Sequence, residues 1–229
     1  MTSHSAQKSQ PAVRGRCIGV FGGTFDPVHS GHIAVAQAAQ RRFHLDAVYF
    51  VASSRPPHKS KPALTAFVHR YAMVSLACAG HPGFIPSLAE APLDGAAPHT
   101  FYTVDTIRRF RREHPDDRVS FIVGADQFLE IPTWRHYEAL LDSCDFIIAS
   151  RPGFRLEALR LVIPPEKLGR AAADPHKIVL HKSVVHLLTT VASHVSSTEV
   201  RHRAEKRQSI HGLVPASVEE YILSQALYL

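Results

Sequence analysis

Eleven consecutive residues, Gly22-Gly23-Thr24-Phe25-Asp26-Pro27-Val28-His29-Ser30-Gly31-His32, could do chemistry together. They follow an apolar run and open a helical stretch. A helix N-terminus leaves backbone N–H groups free, which suits it to hold an anion. Gly22 and Gly23 let the backbone approach a ligand closely. His29 and His32 are three apart and can meet on one side of the first helical turn. Two imidazoles so placed can donate hydrogen bonds to a phosphate and gain charge as phosphate charge builds. In a chain with 16 histidines, a bare HxxH pair is better explained by two incidental surface residues. The whole string is far more specific. It lacks the Gly-Lys-Ser/Thr ending of a P-loop, and it is not GxGxxG.

Several later segments are candidates for the same site. In Val195-Ser196-Ser197-Thr198-Glu199-Val200-Arg201, the Ser and Thr residues suit a helix N-cap. Their hydroxyls and the free amides can hold phosphate, and Arg201 can make a bidentate contact. An ordinary cap with a solvent-facing Arg would have the same sequence. Pro56-Pro57-His58-Lys59 is a rigid Pro turn, on which Lys59 is either simply exposed or able to bring a positive charge to an anionic ligand. Gly124-Ala125-Asp126 closes a strand, and Asp126 suits ribose hydroxyls. Trp134, the single Trp, can stack on a ring or simply pack in the core. Asp105, in Tyr102-Thr103-Val104-Asp105-Thr106, also suits a helix start.

Buried strands are expected at 17–21, 47–51, 119–123 and 146–149, with a weaker one at 84–85 and another over 184–191. Helical stretches are expected at 31–43, 64–79, 103–113 and 133–141, and two closing helices at 198–206 and 215–227. Short continuous apolar strands alternating with helices indicate βαβ units and a mainly parallel sheet. The fold class is therefore α/β, one doubly wound domain over 16–229, with residues 1–15 as a disordered tail. Its ligand should lie beyond the C-terminal ends of the strands. Residues 155–183 are broken by Pro164, Pro165 and Pro175 and give no clear elements.

Composition excludes several classes. Of the 229 residues, 45% are hydrophobic and 20% charged, too apolar for a largely disordered chain. No apolar stretch reaches the 18 or more residues of a membrane span, so no membrane partner is expected. The start of the chain has no apolar signal core. Cys17, Cys78 and Cys144 form neither a zinc pattern nor a disulfide framework, which fits a reducing, cytoplasmic setting. The net charge of +6 favours anionic partners without selecting among them. The Arg108, Arg109, Arg111 and Arg112 cluster fits a solvated helix face or a nucleic-acid contact.

GGTFDPVHSGH resembles the signature of the HxGH nucleotidyltransferase superfamily, and is most similar to bacterial nicotinate-nucleotide adenylyltransferases. The SSTEVR segment, PPHK, YTVDT, GAD with its following Trp, and Arg151-Pro152-Gly153 resemble that family's other motifs. The resemblance spans roughly 17–229. It departs at Val195, where Ile is usual, at Phe101, where a small polar residue is common, and at 155–183, which looks like a variable insert. It implies a Rossmann-like domain that joins ATP and nicotinate mononucleotide into deamido-NAD and pyrophosphate. By resemblance, Gly22, Gly23, Thr24, Phe25, His29, His32, Arg151, Ser196, Ser197, Thr198 and Arg201 bind ATP. Lys59, Thr103, Asp126 and Trp134 face the acceptor, and His29, His32, Lys59 and Arg201 act in catalysis. Mg²⁺ is implied as a cofactor carried mainly by the ATP phosphates, with no protein metal site. No nucleic-acid partner is implied, and a homo-oligomer is left open. Sibling enzymes acting on nicotinamide mononucleotide or phosphopantetheine remain alternatives, as does a non-catalytic nucleotide- or nucleic-acid-binding protein.

Overall fold

The computed structural model describes residues 15–54, 64–92, 100–150, 153–189 and 195–229. Strand β1 (Cys17–Gly23) leads into helix α1 (Ser30–Phe43) and strand β2 (Ala47–Ala52). Helix α2 (Phe67–Ala79), strand β3 (Phe84–Ser87), helix α3 (Thr103–Glu113) and strand β4 (Arg118–Gly124) follow. Two short helices, α4 (Ala125–Leu129) and α5 (Tyr137–Leu141), precede strand β5 (Asp145–Ala149). Helix α6 (Leu156–Arg160), strands β6 (Lys177–Val179) and β7 (Val184–Leu188), and helices α7 (Ser197–Glu205) and α8 (Ala216–Ser224) complete the order.

The strands form one sheet in the order β3-β2-β1-β4-β5-β7-β6. All neighbours are parallel except β6 and β7, which run antiparallel. Alternation along each strand sends side chains to both faces. In β4, Val119, Phe121 and Val123 pack with α3, α4, α5 and α6, whereas Ile122 packs with α1, α2, α7 and α8. Both faces are thus covered, as a parallel sheet requires. The chain leaves β1 towards β2 over one face and reaches β4 over the other. The ends of β1 and β4 therefore border a topological switch point, where such sheets bind ligands.

The expected mainly parallel, doubly wound sheet is present. Two local differences have physical reasons. The helix expected over 133–141 is broken: a 3-10 turn at Ile131–Thr133 precedes α5, and His136, at φ 52°, separates them. The unclear stretch 155–183 is built into the sheet. Lys177 pairs with His186 and Val179 with Val184, while Lys167 forms a 2.8 Å ion pair with Asp142. Pairing across the sheet, rather than local periodicity, makes this region regular.

Phe146 on β5 is fully buried, with its ring edge-on to Phe128 at 5.5 Å and to Phe121 at 6.2 Å. Phe146→Ala is expected to lower stability by about 3–5 kcal/mol through lost burial and a residual cavity. Urea denaturation of the two proteins checks this, and an unchanged midpoint would contradict the packing assigned to β5.

Candidate active site

The turn between β1 and α1 is tied down from outside. The Ser53 N–H donates to the Gly23 carbonyl at 2.9 Å, joining the ends of β1 and β2. A Cβ on Gly23 would lie 3.0 Å from the Phe25 ring, so this close approach requires glycine. Phe25 is 2% exposed and sits at φ 49°, a left-handed conformation that costs a non-glycine residue about 1–2 kcal/mol. The Asp26 carboxylate is buried. It accepts from the Tyr228 hydroxyl at 2.7 Å and from the Thr65 N–H at 3.4 Å. At the start of α1, Ser30 donates through its N–H to the Leu213 carbonyl and through Oγ to the Gly212 carbonyl.

Helix α7 closes on the same turn. The Ser197 hydroxyl donates to the Pro27 carbonyl at 2.9 Å, and Arg201 Nη1 donates to the Asp26 carbonyl at 2.6 Å. Ser196 Oγ caps α7 by accepting the Glu199 N–H, and Thr198 Oγ1 accepts from Arg201 Nη2. The two candidate phosphate motifs, distant in sequence, are thus adjacent in space.

His29 and His32 stack with ring centroids 3.6 Å apart. His32 Nδ1 accepts the backbone N–H of His29 at 3.2 Å. Its ring proton therefore resides on Nε2, and His32 is a neutral donor. Phe25 meets the His32 ring edge-on at 5.0 Å. Burial pushes His32 well below the usual imidazole range, and neighbouring His29 pushes the same way. Burial lowers His29 to about 4. The expected readiness of both rings to gain charge therefore requires an anion beside them, because their own surroundings favour the neutral form.

Gly22, Gly23, Thr24, Phe25, His29, His32 and Ser197 line a cavity of about 800 Å³ at the switch point, together with Thr103, Asp126 and Trp134. Ser196, Thr198 and Arg201, on the same segment as Ser197, are not among the lining residues. Lys59 and Arg151, with Pro56, Pro57, His58 and Pro152, lie outside the described residues, as does most of the expected N-terminal tail.

Trp134 sits at the cavity edge, its ring edge-on to Phe121 at 6.3 Å, so it contributes both to lining and to packing. The Arg135 guanidinium lies 4.5 Å from the Tyr102 ring centre. Glu90, also lining the cavity, accepts from the Thr106 hydroxyl at 2.7 Å, and burial raises its pKa against that hydrogen bond. Sequence reasoning missed Glu90, Arg135 and Phe154, which carry no motif of their own. Among the described residues, no three His, Cys, Asp or Glu side chains gather as a metal site. Two members of the arginine cluster are already engaged: Arg108 with Asp105 at 3.5 Å and Arg109 with Glu113 at 2.7 Å.

The buried histidines make stability depend on pH. The unfolded chain takes up protons near 6.5, whereas folded His29 does so only near 4. The histidine contribution is therefore complete above about pH 6.5 and is lost as pH falls towards 4. For His29 alone it amounts to roughly 3 kcal/mol. Melting temperatures from pH 7.5 to 4.5 should fall more steeply for the native protein than for a His29→Gln/His32→Gln double variant. Parallel curves would contradict the buried neutral pair.

Residues 20–203 match the family model described as Cytidylyltransferase-like. A protein of Moorella thermoacetica named "Probable nicotinate-nucleotide adenylyltransferase" is 44% identical over 215 residues, covering 92% of this chain and 91% of its own. A protein of Citrifermentans bemidjiense with the same name is 38% identical over 215 residues, covering 93% and 98%. Among solved structures, the nicotinic acid mononucleotide adenylyltransferase of Plasmodium falciparum complexed with NaAD matches with a TM-score of 0.69 at 20% identity, covering 93% of this chain and 97% of that one. That likeness is one of fold. With a family match over most of its length and relatives this similar along nine-tenths of it, the chain belongs to the cytidylyltransferase-like family of nucleotidyltransferases.

Proposed function

We propose that this protein is an adenylyltransferase of NAD biosynthesis, joining ATP and nicotinate mononucleotide to give deamido-NAD and pyrophosphate. The observation that carries this reading is the cavity at the switch point, lined by the Gly22–His32 turn on one side and by Thr103, Asp126 and Trp134 on the other. Its volume of about 800 Å³ lies in the range of small-molecule sites, and relatives at up to 44% identity are named for this reaction.

In this reading a phosphate oxygen of the mononucleotide attacks the α-phosphorus of ATP in line, and pyrophosphate leaves with the bonding electron pair. The second pKa of a phosphomonoester is about 6, so the nucleophile is already ionised near neutrality and needs no general base. The protein has to align two polyanions and offset their charge. His32 donates its Nε2–H to a phosphate oxygen, and His29 supports it from the stacked position. The Thr24 and Phe25 backbone and the amides at the start of α7 hold phosphate oxygens. Arg201 acts through the turn by holding the Asp26 carbonyl, and Lys59 adds charge from the PPHK segment. Arg151 is assigned to the adenine side, Asp126 to ribose hydroxyls, and Trp134 and Thr103 to the pyridine end. Mg²⁺ bound with ATP would supply charge compensation for the leaving pyrophosphate, held mainly by the phosphates rather than by a protein cage. Among the described residues no helix is long and apolar enough to cross a membrane, and the three cysteines are free. Both features suit a reaction in the cytoplasm.

Pyrophosphate release with ATP and Mg²⁺, offering nicotinate mononucleotide, nicotinamide mononucleotide and phosphopantetheine in parallel, tests the assignment. Strong preference for nicotinate mononucleotide is expected. Preference for another acceptor would overturn the acceptor assignment, and no release with any would overturn catalysis. In the same assay His32→Ala should lower kcat on the order of 100-fold while ATP binding changes little. Turnover within a few fold of the native protein would remove His32 from the transfer step.

A further inference from the structure

Arg70 is an arginine where none is expected. It shares a face of α2 with Met73, Val74 and Ala77, all buried, and is itself 1% exposed. It also lies in the first turn of that helix, where the helix dipole disfavours a cation. Burying a guanidinium is costly unless its donors are satisfied. Here they are satisfied by backbone carbonyls rather than by a carboxylate. Nη1 donates to the Thr24 carbonyl at 2.7 Å and to the Ser53 carbonyl at 2.8 Å. Nη2 donates to the Ser54 carbonyl at 3.2 Å, and Nε to the Thr65 carbonyl at 2.8 Å. Among the described residues no acidic side chain forms an ion pair with it. The buried Asp26 carboxylate nearby is instead held by Tyr228 and Thr65.

This geometry has a directional consequence. A trans peptide carries its N–H opposite its C=O. With the Thr24 carbonyl turned onto Arg70, the Phe25 N–H points away from the guanidinium. Thr24 and Phe25 line the cavity and Arg70 does not, so the cation stands behind the turn. The fork also fixes the end of β2 against the turn through Ser53 and Ser54.

We propose that Arg70 is a positioning residue for the transfer step: its fork turns the Thr24 carbonyl inward, so that the Phe25 amide is presented to a phosphate of the nucleotide. This rests on the adenylyltransferase reading for the step it serves, but not for the geometry it sets. Arg70 touches no substrate. It acts through the left-handed turn at Phe25, a conformation that its surroundings must hold. Lysine carries the same charge but cannot span four carbonyls in one plane.

Two measurements test this. The first follows the Phe25 amide in ¹⁵N-phenylalanine-labelled native protein on addition of ATP and Mg²⁺, and it needs no variant. A large shift of that resonance is expected, and an unmoved resonance overturns the proposal. The second is Arg70→Lys, examined for folding by circular dichroism and then by kinetics. Misplacement of the turn by a fraction of an ångström should lower kcat about 30-fold or more, while the KM for the acceptor changes less than about threefold. The Phe25 response to ATP should be lost as well. A folded Arg70→Lys protein with kcat within about threefold of native and an intact Phe25 response would overturn the role. If native protein released no pyrophosphate but its Phe25 amide answered ATP in an Arg70-dependent way, the reading of the reaction would fail and the role of Arg70 would stand.

Discussion

A backbone turn that offers its amides to an anion cannot also spend them on holding itself in shape. The turn between β1 and α1 spends its His29 and Ser30 amides on His32 Nδ1 and the Leu213 carbonyl, and around the Thr24 and Phe25 amides proposed to face a phosphate it is held through its carbonyls instead. Its carbonyls at Thr24, Asp26 and Pro27 accept from Arg70, Arg201 and Ser197. The Asp26 carboxylate accepts from Tyr228 and Thr65. The donors come from α2 and the segment just before it, from α7 and from the Tyr228 segment. Each carbonyl that is satisfied from behind leaves the front of the turn to the ligand. The left-handed Phe25, a local cost, is tolerated because so many partners fix its neighbours.

The electrostatics follow from the same arrangement. Two imidazoles are stacked on each other, with Phe21 and Phe25 edge-on to His32, and burial keeps both neutral. A neutral His32 with its proton fixed on Nε2 is a donor at any pH near neutrality. In the proposed reaction, a permanently charged ring in that position would bind ATP tightly in the ground state. A neutral one responds as charge grows, and interactions that strengthen towards the transition state are the ones that raise turnover. Arg70 and Arg201 direct their donors to the Thr24 and Asp26 carbonyls of the turn.

Much of this was legible in the sequence. Parallel strands buried on both faces leave continuous apolar runs, so β1, β2, β4 and β5 could be read with their boundaries nearly correct. The Gly22–His32 string could be placed at a strand-to-helix turn because glycine and proline punctuate it. The parts that could not be read depend on tertiary partners. Strand β6 is three residues long and regular only through its pairing with β7. At the break over Trp134–His136, Trp134 and Arg135 line the cavity and His136 adopts a positive φ, neither of which local periodicity shows. The spacing of Ser196, Thr198 and Arg201 suits phosphate contacts, but it could not reveal the further hydrogen bond from Arg201 to the Asp26 carbonyl. Arg70 left one signal, a cation on the apolar stripe of a helix, but composition alone does not separate it from a solvated residue.

The tethers also explain why such a turn belongs to a whole domain rather than to a short motif. Tyr228 reaches Asp26 across 202 positions of sequence, and Ser197 reaches Pro27 across 170. Helix α8, next to the Tyr228 segment, packs against α2, which carries Arg70. The geometry of a few peptide groups is therefore coupled to the docking of elements from both ends of the chain. Local propensity would not hold Phe25 at a positive φ, and an isolated peptide of this sequence would have little reason to keep it. The turn is ordered by global stability, so loosening a distant helix should reach the site through hydrogen bonds to carbonyls, without any contact to the ligand.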